Sequence, residues 1–286
     1  MIYEDEYSTT EKKINYNSKV FCVNTNISAC SSEVTGYKRK CKYIFLIISC
    51  YKYTYRVHKQ KELWLDNFME YCRKSGIDME YFVVLGEPEA SNSEIDYTFH
   101  YDSHILQVNI KDDYISLPKK VVKAYQAVNE TYEYQHIFKM DDDQVLLNFK
   151  LFDVITGTLD RVWNKKENEV YCVGKDPSSV KHYSFMYDYG GQIVDVKQSY
   201  LSNSHLLHPE MPKFLPVYAT TYCSGPFYFL SCQAVSYLLK YKRTEIESEY
   251  FEDYAIGFHL HSFFKKNIMN IDRSKYFREL KDKECV

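Results

Sequence analysis

The sequence lacks any apolar run long enough to cross a bilayer. Its strongest, Tyr43 to Cys50, falls far short of the ~20 residues a spanning helix needs. No signal peptide opens it, because Met1 to Thr10 are polar and acidic. The expectation is a soluble, cytoplasmic chain without a membrane segment. A basic tract is also missing. Lysines are interspersed with acids and the formal net charge is -3, so no global field invites nucleic acid. The nine cysteines form no CxxC pair, which removes zinc-site spacing, and their odd number leaves at least one thiol unpaired within a monomer. Reduced, mostly buried thiols fit a cytosolic setting. There is no internal repeat and no glycine-rich phosphate loop; Gly190-Gly191 is too short and lacks the pattern.

What is present describes a globular chain. Hydrophobic residues make up 45% and charged residues 26% of 286, enough for a real core. Length alone permits one large α/β domain or two small ones. The 29 tyrosines read first as codon bias and second as capacity to stack on sugars. Residues 1–40 are polar and aperiodic, a lead segment partly ordered at best, and residues 41–286 form the domain.

That domain begins with Tyr43 to Ser49, a continuous apolar run of the kind buried on both faces of a parallel sheet. A helix over Arg56 to Tyr71 follows, with Leu63, Phe68 and Tyr71 at helical spacing. Tyr81 to Gly86 and Ile105 to Ile110 read as strands. Leu117-Pro118 opens a helix through Val128, with Pro118 near its first turn. His136 to Met140 is a fourth strand, running straight into Asp141-Asp142-Asp143. This alternation predicts an α/β fold with a mainly parallel central sheet flanked by helices. The second half is less regular: a strand over Glu169 to Val173, a long Tyr- and Pro-containing stretch to Tyr218, a strand at Phe227 to Leu230, and helices over Gln233 to Tyr241 and Tyr254 to Phe264.

Asp141-Asp142-Asp143 is the sharpest feature. Adjacent like charges repel, so the cluster costs stability unless a cation answers it. Alternation along a strand would put Asp141 and Asp143 on one face, where carboxylate oxygens suit Mn or Mg. The carboxyl edge of an open α/β sheet is also where ligands bind. A solvated acidic turn is the competing reading. Glu252-Asp253 is a second acidic pair, readable as helix N-terminal chemistry or as a general base for a hydroxyl. Tyr222-Cys223-Ser224-Gly225-Pro226 reads as a loop in which Gly allows close approach to a ligand. His259 and His261 read as packed or surface histidines, and Cys223 lacks a local His partner for nucleophilic work.

In their order along residues 43 to 264, these motifs resemble glycosyltransferase family 31, the β1,3-galactosyl- and N-acetylglucosaminyltransferases and their Fringe relatives. The matching features are Arg56, Lys61 (for an Arg) and Trp64; the strand ending Leu85-Gly86; Ile105-Leu106-Gln107, Asp112, Tyr114, Leu117 and Lys120; Lys139, the Asp triplet and Asn148; Tyr222 to Ser231; and Glu252-Asp253 with Gly257. The resemblance implies a GT-A-type fold and an inverting transfer from a UDP-sugar to a glycan or glycoprotein acceptor, with Mn2+ (or Mg2+). It implies Asp143 as main metal ligand, Asp141 supporting metal and nucleotide, and Asp142 helping to hold the donor sugar. Arg56 and Lys120 would place the donor, Ser224 and Gly225 would lie beside it, and Asp253 would be the base. Pro226 and Phe227 replace two glycines of the family's loop, which bears on specificity. The family's late metal-binding histidine has no counterpart after His261, so either water takes that position or activity is reduced. Two other readings stand beside the transferase: a catalytically impaired relative that binds nucleotide-sugar or glycan, and a carboxylate-built phosphodiesterase or nuclease, against which the charge counts.

Overall fold

A computed structural model describes residues 38–88, 95–168 and 187–285, together with the backbone but not the side chains of 162–168 within them. The expected strand over Glu169 to Val173 and nearly all of the lead segment lie outside these residues. Lys40 and Arg39, at its end, form a two-residue parallel pairing with Tyr132 and Glu133.

One eight-stranded mixed sheet organises the chain. Its strands are β1 (Tyr43–Ile48), β2 (Met79–Glu87), β3 (Tyr97–His100), β4 (Ile105–Lys111), β5 (His136–Asp141), β7 (Tyr189–Val196), β8 (Thr220–Ser231) and β9 (Ile268–Asn270). The short β6 (Gln144–Leu146) and β10 (Phe277–Glu279) pair with each other apart from it. The spatial order is β9-β7-β8-β5-β1-β2-β4-β3. Strands β5, β1, β2 and β4 are mutually parallel, and β8 runs antiparallel between β5 and β7.

Every residue of β1 is buried, because both faces of the sheet are covered. Ile44, Leu46 and Ile48 enter one core with α3 (Leu117–Thr131), α5 (Cys232–Tyr241), α6 (Arg243–Glu247) and α7 (Glu252–His259). Tyr43, Phe45 and Ile47 enter the other, with α1 (Thr54–Gln60), α2 (Asp66–Ser75) and α4 (Lys150–Asn168). The period-two geometry of a strand sorts one apolar run into two cores, as the uninterrupted hydrophobic pattern predicts.

Three departures from the sequence reading have physical causes. Between α1 and α2 the helix passes through a π turn, Lys61–Leu65, which shifts the phase of the buried face. Trp64, Leu65, Phe68 and Cys72 are inside, while Leu63 is exposed. Helix α7 stops at His259, and Ser262–Lys265 is a separate 3-10 turn capped by the His261 side chain. Tyr222 to Pro226 is not a loop but part of β8, which carries a bulge between Cys223 and Tyr228. Among the described residues no helix is long and apolar enough to cross a membrane.

Candidate active site

The carboxyl ends of the parallel strands are stitched together by buried polar groups. Asp112, just past β4, accepts from the Gly86 amide at 3.2 Å and the Tyr51 amide at 2.8 Å. It also pairs with Lys120 of α3 at 2.7 Å, and the Lys120 ammonium donates to the Ser49 carbonyl at 2.8 Å. A Cβ on Gly86 would stand 2.6 Å from the Ile110 carbonyl oxygen, so only glycine lets β2 and β4 converge here. Lys120 is buried and its bonds point to protein groups. It lies beneath the site as a strut.

Strand β5 ends at Asp141, and Asp142 and Asp143 occupy the turn into β6. The expectation that Asp141 and Asp143 alternate along a strand is therefore corrected: the turn, not the pleat, sets their directions. Asp142 sinks inward. It accepts from Ser49 Oγ at 2.6 Å, pairs with Arg56 at 3.4 Å, and its carbonyl takes the Gln60 side-chain amide. Burial raises its pKa to about 6, against the opposing effects of Ser49 and Arg56. Arg56 lies over the Tyr53 ring at 4.1 Å and also holds Asp282 at 2.7 Å. Its guanidinium is thus shared between the acidic turn and the C-terminal segment.

That segment straps the turn. Strand β10 pairs antiparallel with β6, and the Leu280 amide donates to the Asp143 carbonyl at 2.6 Å. The Asp143 carboxylate accepts from the Gln144 side-chain amide at 2.7 Å.

Asp141 is reached from below. Lys139, two residues back on the same face of β5, donates to it at 2.6 Å. The pKa of Asp141 is raised by burial, against the Lys139 charge, with further upward contributions from Asp143 and Asp253. The two acidic motifs therefore share one space. Tyr114 borders it: its hydroxyl pKa is raised by burial and then by the charges of Asp253 and Asp141. The Tyr114 ring stacks on His208 at 3.9 Å, joining two loops over this edge of the sheet.

From the opposite side, α7 presents Glu252 and Asp253 in its first turn. Glu252 is buried, pairs with Lys139 at 3.0 Å and accepts from the Tyr228 hydroxyl. Burial raises its pKa to about 7. The Asp253 carboxylate accepts from the Gly225 amide at 2.7 Å and from the Tyr254 amide at 2.7 Å. Helix α7 approaches β8 so closely that a Cβ on Gly257 would fall 2.2 Å from that of Tyr222. Ser224 is half-buried beside Gly225. Phe227 does not face this site. It packs in the opposite core against Phe138, Phe152 and Phe277.

Over residues 59–266, well over half the chain, a family model described as Galactosyltransferase matches. The chain belongs to the galactosyltransferase family. This agrees with the resemblance carried by the motifs, and it makes this family member a glycosyltransferase, setting the nuclease reading aside. No curated protein matches it. Among solved structures, the glycosyltransferase involved in glycosylation of the major capsid of PBCV-1 aligns at TM-score 0.35 and 12% identity, over 81% of this chain and 82% of that one. A putative glucose-1-phosphate thymidylyltransferase from Bacillus anthracis, in complex with a sucrose, aligns at 0.36 and 9%, over 82% and 86%. Likenesses at such scores carry no argument about this galactosyltransferase-family chain.

The residues expected from the sequence, Arg56, Lys120, Asp141, Asp142, Asp143, Ser224, Gly225 and Asp253, all lie at this edge or directly beneath it. Lys139, Ser49, Tyr228 and Asp282 join them with no role expected from the sequence. For Lys139 a signal existed: a lysine inside an apolar strand, two residues before an acidic cluster.

Proposed function

We propose that this glycosyltransferase is inverting and metal-dependent, moving a hexose or N-acetylhexosamine from a UDP-sugar to an acceptor hydroxyl, as a β1,3 linkage on a glycan or glycoprotein. The observation that carries this reading is the pairing of two carboxylates, Asp143 and Asp253, with no cationic partner among the described residues, across a scaffold of carboxylates that do have one.

The donor set at the turn is oxygen only. Among the described residues no three His, Cys, Asp or Glu side chains are grouped to hold a metal by themselves. That composition fits a hard cation such as Mg2+ or Mn2+, which keeps several waters and is held by one or two carboxylates plus substrate phosphates. Asp143, with Asp141 beside it, would hold the ion. When bound, the ion would offset charge developing on the departing diphosphate. Asp142, pinned by Ser49 and Arg56, is spent on shaping the turn. Arg56 has donors to offer a phosphate if it releases Asp282.

Asp253 would take the acceptor proton. Its two amide bonds fix the carboxylate's direction while leaving lone pairs unused, since a carboxylate can accept about four bonds. Glu252 is unsuited to that task, being buried and held by Lys139 and Tyr228. The reading as an impaired relative rests on Pro226, Phe227 and the missing late histidine, and the burial of Phe227 in the far core removes one of these three grounds. A cytosolic setting remains part of the proposal, supported by the buried thiols of Cys41, Cys72, Cys223 and Cys232 serving as packed apolar groups.

The test is UDP release from a panel of UDP-sugars with Mn2+. Metal-dependent release from UDP-galactose, UDP-N-acetylglucosamine or a close relative is expected. Tight UDP binding without release from any member would instead support the impaired relative.

A further inference from the structure

Lys139 is a buried cation, 1% exposed, that touches both acidic motifs. Its ammonium has three donors. One goes to Asp141 at 2.6 Å, one to Glu252 at 3.0 Å and one to the Gly225 carbonyl at 2.8 Å. None is left for a substrate. The side chain lies beside the Tyr228 ring, 5.5 Å from its centroid, on the face of β5 that looks toward α7.

Gly225 is the second half of the argument. It sits inside the β8 bulge, where the ladder to β7 jumps from Cys223 to Tyr228 and the ladder to β5 begins only at Phe227. A bulged residue loses its ladder partners, so its backbone groups bond elsewhere. Its carbonyl takes the Lys139 ammonium and its amide donates to Asp253. Lys139 therefore reaches Asp141 directly and Asp253 through one residue of backbone.

We propose that Lys139 is a positioning residue that sets the spacing between the nucleotide-side carboxylate Asp141 and the acceptor-side carboxylate Asp253, acting through both backbone groups of Gly225. The proposal rests on the reading of Asp253 as base. Losing the ammonium would leave the Gly225 carbonyl without its donor and two carboxylates, the buried Glu252 and the half-buried Asp141, without their shared cation. The second effect alone could unfold the chain. The informative variant is therefore the double substitution Lys139→Met with Glu252→Gln, which removes one charge of each sign.

The full chain carrying both substitutions is compared with wild type and with Glu252→Gln alone in two measurements. Hydrogen exchange at the Gly225 amide, read by NMR, should quicken by about tenfold or more in the double variant only. Leu230, paired with Ile137 on the same strand, should keep its protection. Single-turnover sugar transfer should fall on the order of 10²-fold, with donor KM changed less than about threefold. Unaltered exchange at Gly225 overturns the proposal, whatever happens to activity. So does a donor KM that rises in step with the loss of transfer, because that would place Lys139 on the donor. If wild type transfers no sugar while Gly225 exchange still responds, the Lys139–Gly225 coupling stands and the base role of Asp253 fails.

Discussion

The two acidic motifs, Asp141-Asp142-Asp143 at the middle of the chain and Glu252-Asp253 near its C-terminal end, are built alike. Each sinks one carboxylate into the protein and gives it a cation and a hydroxyl: Asp142 has Arg56 and Ser49, and Glu252 has Lys139 and Tyr228. Each leaves a neighbour, Asp143 or Asp253, held by amides and without an ion pair among the described residues. Burial makes the charged form costly and a partner offsets that cost, so the sunken member fixes geometry. The amide-held member keeps oxygen lone pairs for a ligand. The comparison teaches that adjacency of acids in sequence does not imply a shared role.

The sharpest way to break this comparison is Asp253→Asn. The amide side chain can still accept the Gly225 N–H but cannot take a proton, so transfer should fall by about 10²–10⁴-fold with UDP affinity retained. Near-normal turnover would remove Asp253 as base. Asp143→Ala comes next: Mn-dependent UDP binding should weaken on the order of 10²-fold by titration calorimetry. Equal affinity with and without the side chain would return the turn to a merely solvated one.

How much of this was legible follows from where the information lies. Tyr43 to Ser49 and His136 to Met140 announce themselves because both sheet faces are covered, so the runs are apolar without interruption. Strand β7 does not. Gly190-Gly191 replaces apolar side chains there because Phe229 and Cys223 press against the backbone, and the sequence shows only glycines. The β8 bulge was also hidden, since Ser224-Gly225-Pro226 has turn chemistry whether or not a strand continues around it. At the site, the acids could be found from spacing, whereas their division into sunken and amide-held members depends on contacts such as Arg56–Asp142 across 86 positions. The strap by β10 was invisible for the same reason.

Glu252→Gln separates the sunken member from the other in a pH series. Folding raises the Glu252 pKa from 4.5 to about 7, chiefly by burial. Between those values the folded chain holds a proton the unfolded chain has released, so this group makes stability fall as pH rises through that window. The contribution is on the order of 3 kcal/mol across it. Glutamine does not titrate, so wild-type stability in urea, measured relative to the variant, should decline from about pH 4.5 to about pH 7 and then level off. Parallel curves would show that Lys139 keeps Glu252 ionised throughout.

The smallest expected effect is at the rim of the same comparison. Asp282 binds Arg56 through one carboxylate oxygen, at 2.7 and 2.9 Å, and is itself 63% exposed. Solvent screens such a pair. Arg56 keeps Asp142 and the Tyr53 ring, and the strap keeps its backbone pairing with β6. Asp282→Asn should therefore leave thermal unfolding nearly unchanged and alter UDP affinity by less than about fivefold. The direction is informative. Tighter UDP binding would mean that Asp282 competes with phosphate for the guanidinium, so that Arg56 belongs to the donor site. Weaker binding would mean that Asp282 holds Arg56 in the orientation that supports Asp142, placing Arg56 with the sunken scaffold.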